Sequence, residues 1–542
     1  MKKVLFLLVA LPLLAEAQVS FQSSNLPIVL ITTTNGQQIP DEPKISAQMK
    51  VIYNGPGQIN YVTDLPNDYN GAVGIEMRGS TSQDLSDKKP YAVETRDADG
   101  KGLDVPLLGM PEESDWAFIA PFSDKSLLRD ALAFELARRT MTWAPRSRFV
   151  ELVLNGAYQG VYVITEKIKR DKNRVDISKL TATDLAGDSL TGGYILKLDK
   201  PTGALADGWT SPYPAQTGGW QSTYYQYHYP KPEDIQPEQK QYIRNWVTDF
   251  ETLMKSPQYA DTAAGYPKYI DIASFVDFIL INEIAKNVDA YRLSTFLYKD
   301  KDSKNTHLFA GPVWDFNIAF GNADYCGGNS YQGWAINFNS ICNQDGWVIH
   351  FWWLRLWDDP AFRARVASRW EELRGEIFTD AKVTGILDSM TGVVQQAQVR
   401  NFQRWPVLNQ YVWPNPFCCG TYSQHIDYLR TWTLNRLHWM DNAMKTLSVG
   451  QYDNNKYFPT QVFPNPSADR LTFKYYVHYS DDVMIRIFDT AGREIAEIKP
   501  EQKTNGENSH TWSHSLGQGV YFYSVLVNGE KESAGTFVVE RR

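Results

Sequence analysis

Residues 282–322 constrain this chain more than any other stretch. They read N-E-I-A-K-N-V-D-A-Y-R-L-S-T-F-L-Y-K-D, then a polar turn, then H-L-F-A-G-P-V-W-D-F-N-I-A-F-G-N. The run FVDFILINEIA that leads into them is apolar and helix-like. TFLYKD and LFAGPVW read as two strands around the turn. Asp289 follows the helix, and Asp315 stands at the end of the second strand, 26 residues later. A helix–strand–turn–strand unit of this kind can bring both carboxylates to one end of a hairpin. One acid beside a reacting hydroxyl and one holding a metal is what phosphoryl transfer needs.

The rest of the chain must house that unit. At 542 residues it exceeds one ordinary domain, and 43% hydrophobic with 21% charged residues is a globular balance. A net charge of −8 argues against a nucleic-acid binder, which usually carries a basic stripe. Lys2 and Lys3 precede an apolar run over 4–14 and the small-x-small site Ala15-Glu16-Ala17, so residues 1–17 are expected to be a cleaved signal peptide. No later run is long and apolar enough for a membrane-spanning helix. The mature chain is therefore expected outside the cytoplasm. There the four cysteines, Cys326, Cys342, Cys418 and Cys419, point to disulfides. A vicinal bond between Cys418 and Cys419 is a rare geometry, so one or two longer bridges are expected. A zinc site lacks the spacing it would need.

Residues 18–70 read as a β-rich segment. In GAVGIEMRGSTSQDLSDKKPYAVETRDADG, two strands flank a Ser-rich turn, with Arg78 and Lys89 beside it. Cations and backbone N–H groups there could face a phosphate, although local spacing alone favours a solvated hairpin. Leu127, Leu128, Ala131, Leu132 and Leu136 recur at helical spacing, and Arg129 with Asp130 near the helix start reads as an ion pair. FVELVLNGAYQGVYVITEK reads as a hairpin around Asn155-Gly156. Glu166 ends its second strand, either as an exposed terminus or as partner of a phosphate-holding lysine. Lys197 and Asp199 alternate on GGYILKLDK. Residues 201–230 read as a long aromatic loop, including Trp220, Tyr224 and Tyr225. Several amphipathic helices follow, in which Arg365, Arg369, Glu371 and Glu372 form a solvated charge pattern. A linker over 446–460 leads to short alternating strands over 461–542, the pattern of a small all-β sandwich.

Two resemblances enter on these residues. IEMRGSTSQ, KKPYAVE, LLGMPEESDWAFIAPFSDKSLLRDALAFELAR, APRSRFVELVLNGAYQGVYVITEKIK, NEIAKNVDAYRLSTFLYKD and GPVWDFNIAFGN occur in one order. Together they make residues 71–445 resemble the CotH (spore coat protein H) kinase family. The strands after 461, VFPNPSADRLTF, IRIFDTAGREI and LGQGVYFYSVLVNGE, are similar to the type IX secretion (Por) C-terminal sorting domain. The first resemblance implies a multidomain α+β chain with an atypical, two-lobed, protein-kinase-like core. It also implies ATP with Mg²⁺ (or Mn²⁺) as cofactors and a protein substrate on the exported side. By position, Asp289 matches the candidate base, Asp315 the metal acid and Glu166 the ion-pair glutamate. Arg78 and Lys89 fall where phosphate contacts are expected, and Trp314 and Asn287 flank the site. Some members read W-D-F-D where this chain has Asn317, a neutral ligand in place of a carboxylate. That exchange keeps a second reading open: a catalytically weak or dead surface protein, binding a protein or glycan through segments 201–230 and 326–347. The sorting domain implies a Bacteroidota-type exporter as a partner and a secreted or cell-surface destination.

Overall fold

The computed structural model describes residues 19–79, 83, 86–202, 207–447, 460–477, 483–500, 506–527 and 530–540. The signal peptide expected over 1–17 lies outside them. So do most of the linker, much of the Ser-rich turn after Gly79, and the turn at Asn528-Gly529.

The first third of the described chain closes a barrel. Its strands are β1 (Ile28–Thr33), β2 (Ile45–Ile52), β3 (Tyr69–Met77), β4 (Tyr91–Thr95), β5 (Asp115–Ile119), β6 (Ser147–Leu154) and β7 (Ala157–Glu166). Their order around the barrel is β6-β7-β5-β4-β3-β2-β1. The seam is parallel, with Glu151 opposite Ile28 and Leu154 opposite Ile31. Alternation places Val29, Ile31, Met49, Val51, Val73, Ile75, Val93, Trp116, Phe118, Tyr162 and Ile164 in one apolar core. The β-rich segment read over 18–70 supplies two of these strands. Its strands β1 and β2 are barrel staves, because without them β6 and β3 would be open edges.

Between β5 and β6 runs helix α1 (Arg129–Ala137), which is buried along almost its whole length. A second sheet follows, built from β8 (Tyr194–Leu198), β9 (Gly208–Pro214), β10 (Ser222–Tyr229), β11 (Thr295–Lys299) and β12 (Leu308–Ala310), in the order β9-β10-β8-β11-β12. The long loop expected over 201–230 is thus largely a hairpin. Trp and Tyr favour a half-buried pleated surface. Trp209, Tyr225 and Tyr227 point inward, with Trp209 and Tyr225 stacked at 5.0 Å.

Helices α2 (Pro237–Lys255) and α3 (Ile272–Ala285) precede β11. Helix α3 is the predicted FVDFILINEIA run. Asp271 caps it, accepting the Ser274 N–H at 2.8 Å, and it is buried on nearly every side. Helices α4 (Phe351–Asp358), α5 (Pro360–Glu376), α6 (Asp380–Val394), α7 (Ala397–Arg404) and α8 (Tyr422–Leu447) form the helical body, with α5 and α8 against α3. Arg369 on α5 pairs with Asp277 on α3 at 2.9 Å as well as with Glu372, so the charge pattern read as solvated is partly an interhelical tie.

The C-terminal strands are β13 (Gln461–Phe463), β14 (Arg470–Val477), β15 (Val483–Phe488), β16 (Glu494–Ile498), β17 (Gly506–Ser513), β18 (Gly519–Val527) and β19 (Glu530–Val539). They make two antiparallel sheets, β13-β14-β17 and β16-β15-β18-β19. Leu471, Phe473, Val483, Ile485, Ile487, Val525 and Phe537 share one core, as the alternating pattern predicts.

Candidate functional site

Helix α3 ends where Lys286 turns left-handed at φ 41°. Its ammonium donates to the carbonyls of Gly327, Ser330 and Gln332 at 2.8, 3.0 and 2.5 Å. One turn earlier Glu283 accepts the N–H groups of Ala335 and Ile336 at 2.7 and 2.9 Å and pairs with Arg436 of α8 at 3.0 Å. The end of α3 is thereby locked to the loop that follows Asp315. Asn287 comes next, and it joins the two acid-bearing segments. Its Oδ1 accepts the Asp289 N–H at 3.1 Å, and its Nδ2 donates to the Asp315 carbonyl at 3.0 Å. Asp315 sits at φ 68°, a conformation that Asp and Asn tolerate better than most side chains.

The two carboxylates feel one another. Burial first, and then the Asp289 charge, raise the Asp315 carboxyl from 3.8 to about 6, against the opposing pull of Arg78. Asp289 is also raised, by burial, with Asp199 and Asp345 adding to it and Arg292 and Lys200 opposing. Arg292 binds Asp289 Oδ1 at 2.7 Å and is itself held by Asp345 at 3.3 Å and the Trp347 carbonyl at 2.7 Å. Asp130, at the start of α1, accepts the Phe316 N–H at 2.7 Å. Burial and the nearby Asp315 charge push it up to about 7.

Cations line the same region. The Arg78 guanidinium lies 5.4 Å over the Trp314 ring, next to Asp315 in the chain. Burial lowers Arg78, and Asp315 and Asp130 pull it back up. Lys197, near the end of β8, forms an ion pair with Asp199, and its charge also reaches Asp315. Of the expected residues, the structure therefore brings together Asp289, Asp315, Asn287, Trp314 and Arg78. Asn317 follows on the Asp315 loop, where its carbonyl accepts Asn322 Nδ2 at 2.8 Å.

Two expected residues are engaged by other partners. Glu166 is fully buried between Arg146 at 2.8 Å and Arg174 at 3.2 Å, and also accepts the Arg146 N–H at 2.9 Å. Its partners are arginines of the barrel end, not a phosphate-holding lysine. Lys89 donates to the Gln83 carbonyl at 2.5 Å, within its own hairpin. Lys88 beside it is buried, reaching Val161 and Asn401.

Sequence reading missed Asp199, Lys197, Asp130 and Arg292 as site residues. The alternation of Lys197 and Asp199 was visible, but nothing local tied it to Asp315. Asp130 looked like half of an ion pair, whereas Arg129 pairs with Asp124 instead. The only early signal for Asp130 was an acid in the first turn of an otherwise apolar helix.

Mg²⁺ commonly takes one or two carboxylates and fills its remaining positions with phosphate oxygens and water. Asp315 is one carboxylate of that kind, and the charges of Arg78 and Lys197 reach it. Among the described residues, no group of three or more His, Cys, Asp and Glu side chains could hold a metal by itself.

The loop over this site is closed by a disulfide between Cys326 and Cys342, with Cα atoms 5.6 Å apart. That is the longer bridge expected. Cys418 and Cys419 pair with each other, contrary to expectation. The other two cysteines are satisfied within their own loop, so each of these is left with only its chain neighbour.

Comparison with known proteins adds two family matches. A family model described as CotH kinase protein matches residues 75–440. One described as secretion system C-terminal sorting domain matches residues 461–540. A search of curated proteins found no match. Among solved structures, a Pseudomonas fluorescens alkylpurine DNA glycosylase bound to DNA containing an abasic site analog aligns at 11% identity. It covers 38% of this chain and 59% of that one, with a TM-score of 0.13. An overlap that small carries no inference about fold or function.

Proposed function

Because this chain belongs to the CotH kinase protein family, we propose that it is an exported atypical protein kinase with a two-lobed, kinase-like core. It transfers the γ-phosphate of ATP, with Mg²⁺ or Mn²⁺, to Ser or Thr hydroxyls of secreted or surface proteins. The observation that carries this reading is the Asn287 bridge, which holds the Asp289 and Asp315 segments together among Arg78, Lys197 and Lys200.

In this reading Asp315 holds the metal, with the Asn317 amide oxygen as a neutral neighbour, and Arg78 and Lys197 contact phosphate oxygens. When bound, metal–ATP supplies the phosphoryl group and the charge neutralisation that transfer depends on. Asp289 takes the proton of the acceptor hydroxyl. Its raised pKa brings it closer to the working pH, as a general base requires. Arg292 keeps the Asp289 carboxylate oriented. The sorting domain marks the chain for handling by type IX secretion machinery and for the cell surface or beyond. No helix among the described residues is long and apolar enough to cross a membrane.

Calorimetry with ATP, with and without Mg²⁺, tests the site, together with transfer from labelled ATP. Metal-dependent binding lost in Asp315→Ala is expected. Asp289→Ala should keep binding and lose transfer by about 10³-fold. Transfer that persists unchanged in both variants overturns the assignment. Asn317 favours a second reading, a weak or dead kinase-like binding protein for a protein or glycan; it requires no ATP-dependent heat at all.

A further inference from the structure

The residues on either side of Asp315 are both held by α1. Trp314 packs its ring against Phe134, with centroids 5.8 Å apart. On the other side, the Phe316 N–H donates to Asp130 Oδ1 at 2.7 Å. Asp130 and Phe134 are four positions apart in α1, so they lie on one face of that helix. Both are buried. Arg129, beside Asp130, donates to the carbonyls of Ala319 and Phe320 at 3.0 and 3.4 Å. Asp124 fixes that guanidinium in turn, at 2.5 Å.

The segment that α1 grips has little regular structure of its own. Residues 315–322 form neither helix nor strand. Two turn bonds join them to one another, from the Ala319 N–H to the Phe316 carbonyl and from the Asn322 N–H to the Ala319 carbonyl. Neither bond involves Asp315, whose φ is 68°. Among the described residues, the Asp315 carboxylate takes one long hydrogen bond, from Ser294 Oγ at 3.5 Å. Its direction therefore follows from the backbone. In the peptide unit joining Asp315 to Phe316, the carbonyl accepts Asn287 Nδ2 at 3.0 Å and the N–H donates to Asp130. The two polar groups of a trans peptide point in opposite directions, so the two side chains grip this unit from opposite sides. A left-handed residue other than glycine persists where its surroundings over-determine it. Loss of one grip frees the peptide plane to rotate.

We propose that Asp130 is a positioning residue for Asp315: by holding the Asp315–Phe316 peptide it keeps the Asp315 carboxylate in its metal-binding orientation. This rests on the phosphoryl-transfer reading of Asp289 and Asp315. The role belongs to an acceptor atom rather than to a charge. Burial and the Asp315 charge both oppose ionisation of Asp130, whereas the hydrogen bond needs only an oxygen facing the Phe316 N–H.

The test uses the full chain. Calorimetry reads ATP affinity across a Mn²⁺ series and in EDTA, and mass spectrometry reads hydrogen exchange over 315–322. Asp130→Ala should weaken the apparent Mn²⁺ affinity by about 10-fold or more and speed exchange over 315–322, with ATP affinity in EDTA unchanged. Asp130→Leu, which refills the space without an acceptor, should do the same, and it replaces the alanine variant if that one does not fold. Asp130→Asn keeps an oxygen for the Phe316 N–H and should restore most of both readouts. An asparagine variant as impaired as the other two overturns the proposal, because the charge would then be what matters. So does faster exchange with an unchanged Mn²⁺ dependence, the mark of a structural role alone. A wild-type chain without metal-dependent ATP binding sinks the kinase reading and this proposal together. Metal-dependent binding that is equal in wild type and variants sinks this proposal alone.

Discussion

Two groups of buried and half-buried carboxylates in this molecule are handled in opposite ways. At the barrel end, Glu113, Asp115 and Glu166 meet Arg146, Lys167, Lys169 and Arg174. Burial works against Glu113 and Asp115, but Lys169 and its neighbours overcome it and hold both acids below their ordinary range. At the candidate site, burial and mutual repulsion win, and Asp130, Asp289 and Asp315 are all raised. Matched charge of the first kind belongs to a structural network. Only partly relieved negative charge of the second kind is a place where a cation or a transferable proton is wanted. The difference separates Glu166 from Asp315, although both are acids near strand ends.

The largest effect that would break this contrast is in the structural group. Glu166→Gln leaves the fully buried Arg174 with Asp171 and the more distant Glu113 as charge partners, beside the Pro111 and Glu112 carbonyls. Breaking one partner out of a buried pair costs about 3–5 kcal/mol, read as a lower urea midpoint with ATP affinity retained in the folded fraction. A variant of full stability that has lost ATP binding would move Glu166 into the site.

Asp315→Asn should do the reverse. The folded Asp315 carboxyl titrates near 6, above its ordinary 3.8, so folding favours its protonated form. That preference costs nothing below about pH 4, grows between the two values and is complete above about pH 6. Replacing the charge should therefore stabilise the chain by up to about 3 kcal/mol at pH 8, and the gain should vanish at pH 4. Asn is the apt replacement because it also accepts the positive φ. Thermal melts at the two pH values check this, and destabilisation at pH 8 would mean the site's charges are matched after all. Smallest is Lys89→Ala, whose ammonium, among the described residues, holds its own hairpin at the Gln83 carbonyl. It should change stability by no more than about 0.5 kcal/mol and leave ATP affinity unchanged; a tenfold loss would place Lys89 among the phosphate contacts.

Much of the fold was legible because burial periodicity is local. The alternation of the barrel strands and the all-round apolar run of α3 follow directly from residue order, as does the hairpin between Asp289 and Asp315. Segment 201–230 was misread because Gly and Pro punctuation outweighed the strand preference of its Trp and Tyr residues. The site was legible only where its residues share one stretch. Asp289, Asp315, Asn287 and Trp314 lie within 29 positions of one another, whereas Asp130 and Asp199 reach the same acids from α1 and β8.

Residue order by itself determined most strands and helices outside 201–230, which acids flank one hairpin, and that a β-sandwich follows residue 460. Only the tertiary structure decided which charges meet. It gave Glu166 two arginines and left Asp315 facing Asp289. Backbone pattern is set by neighbours a few positions away, while a buried charge answers to whichever groups the sheets and helices bring within a few ångströms, and in low dielectric those few decide whether it is matched or left wanting.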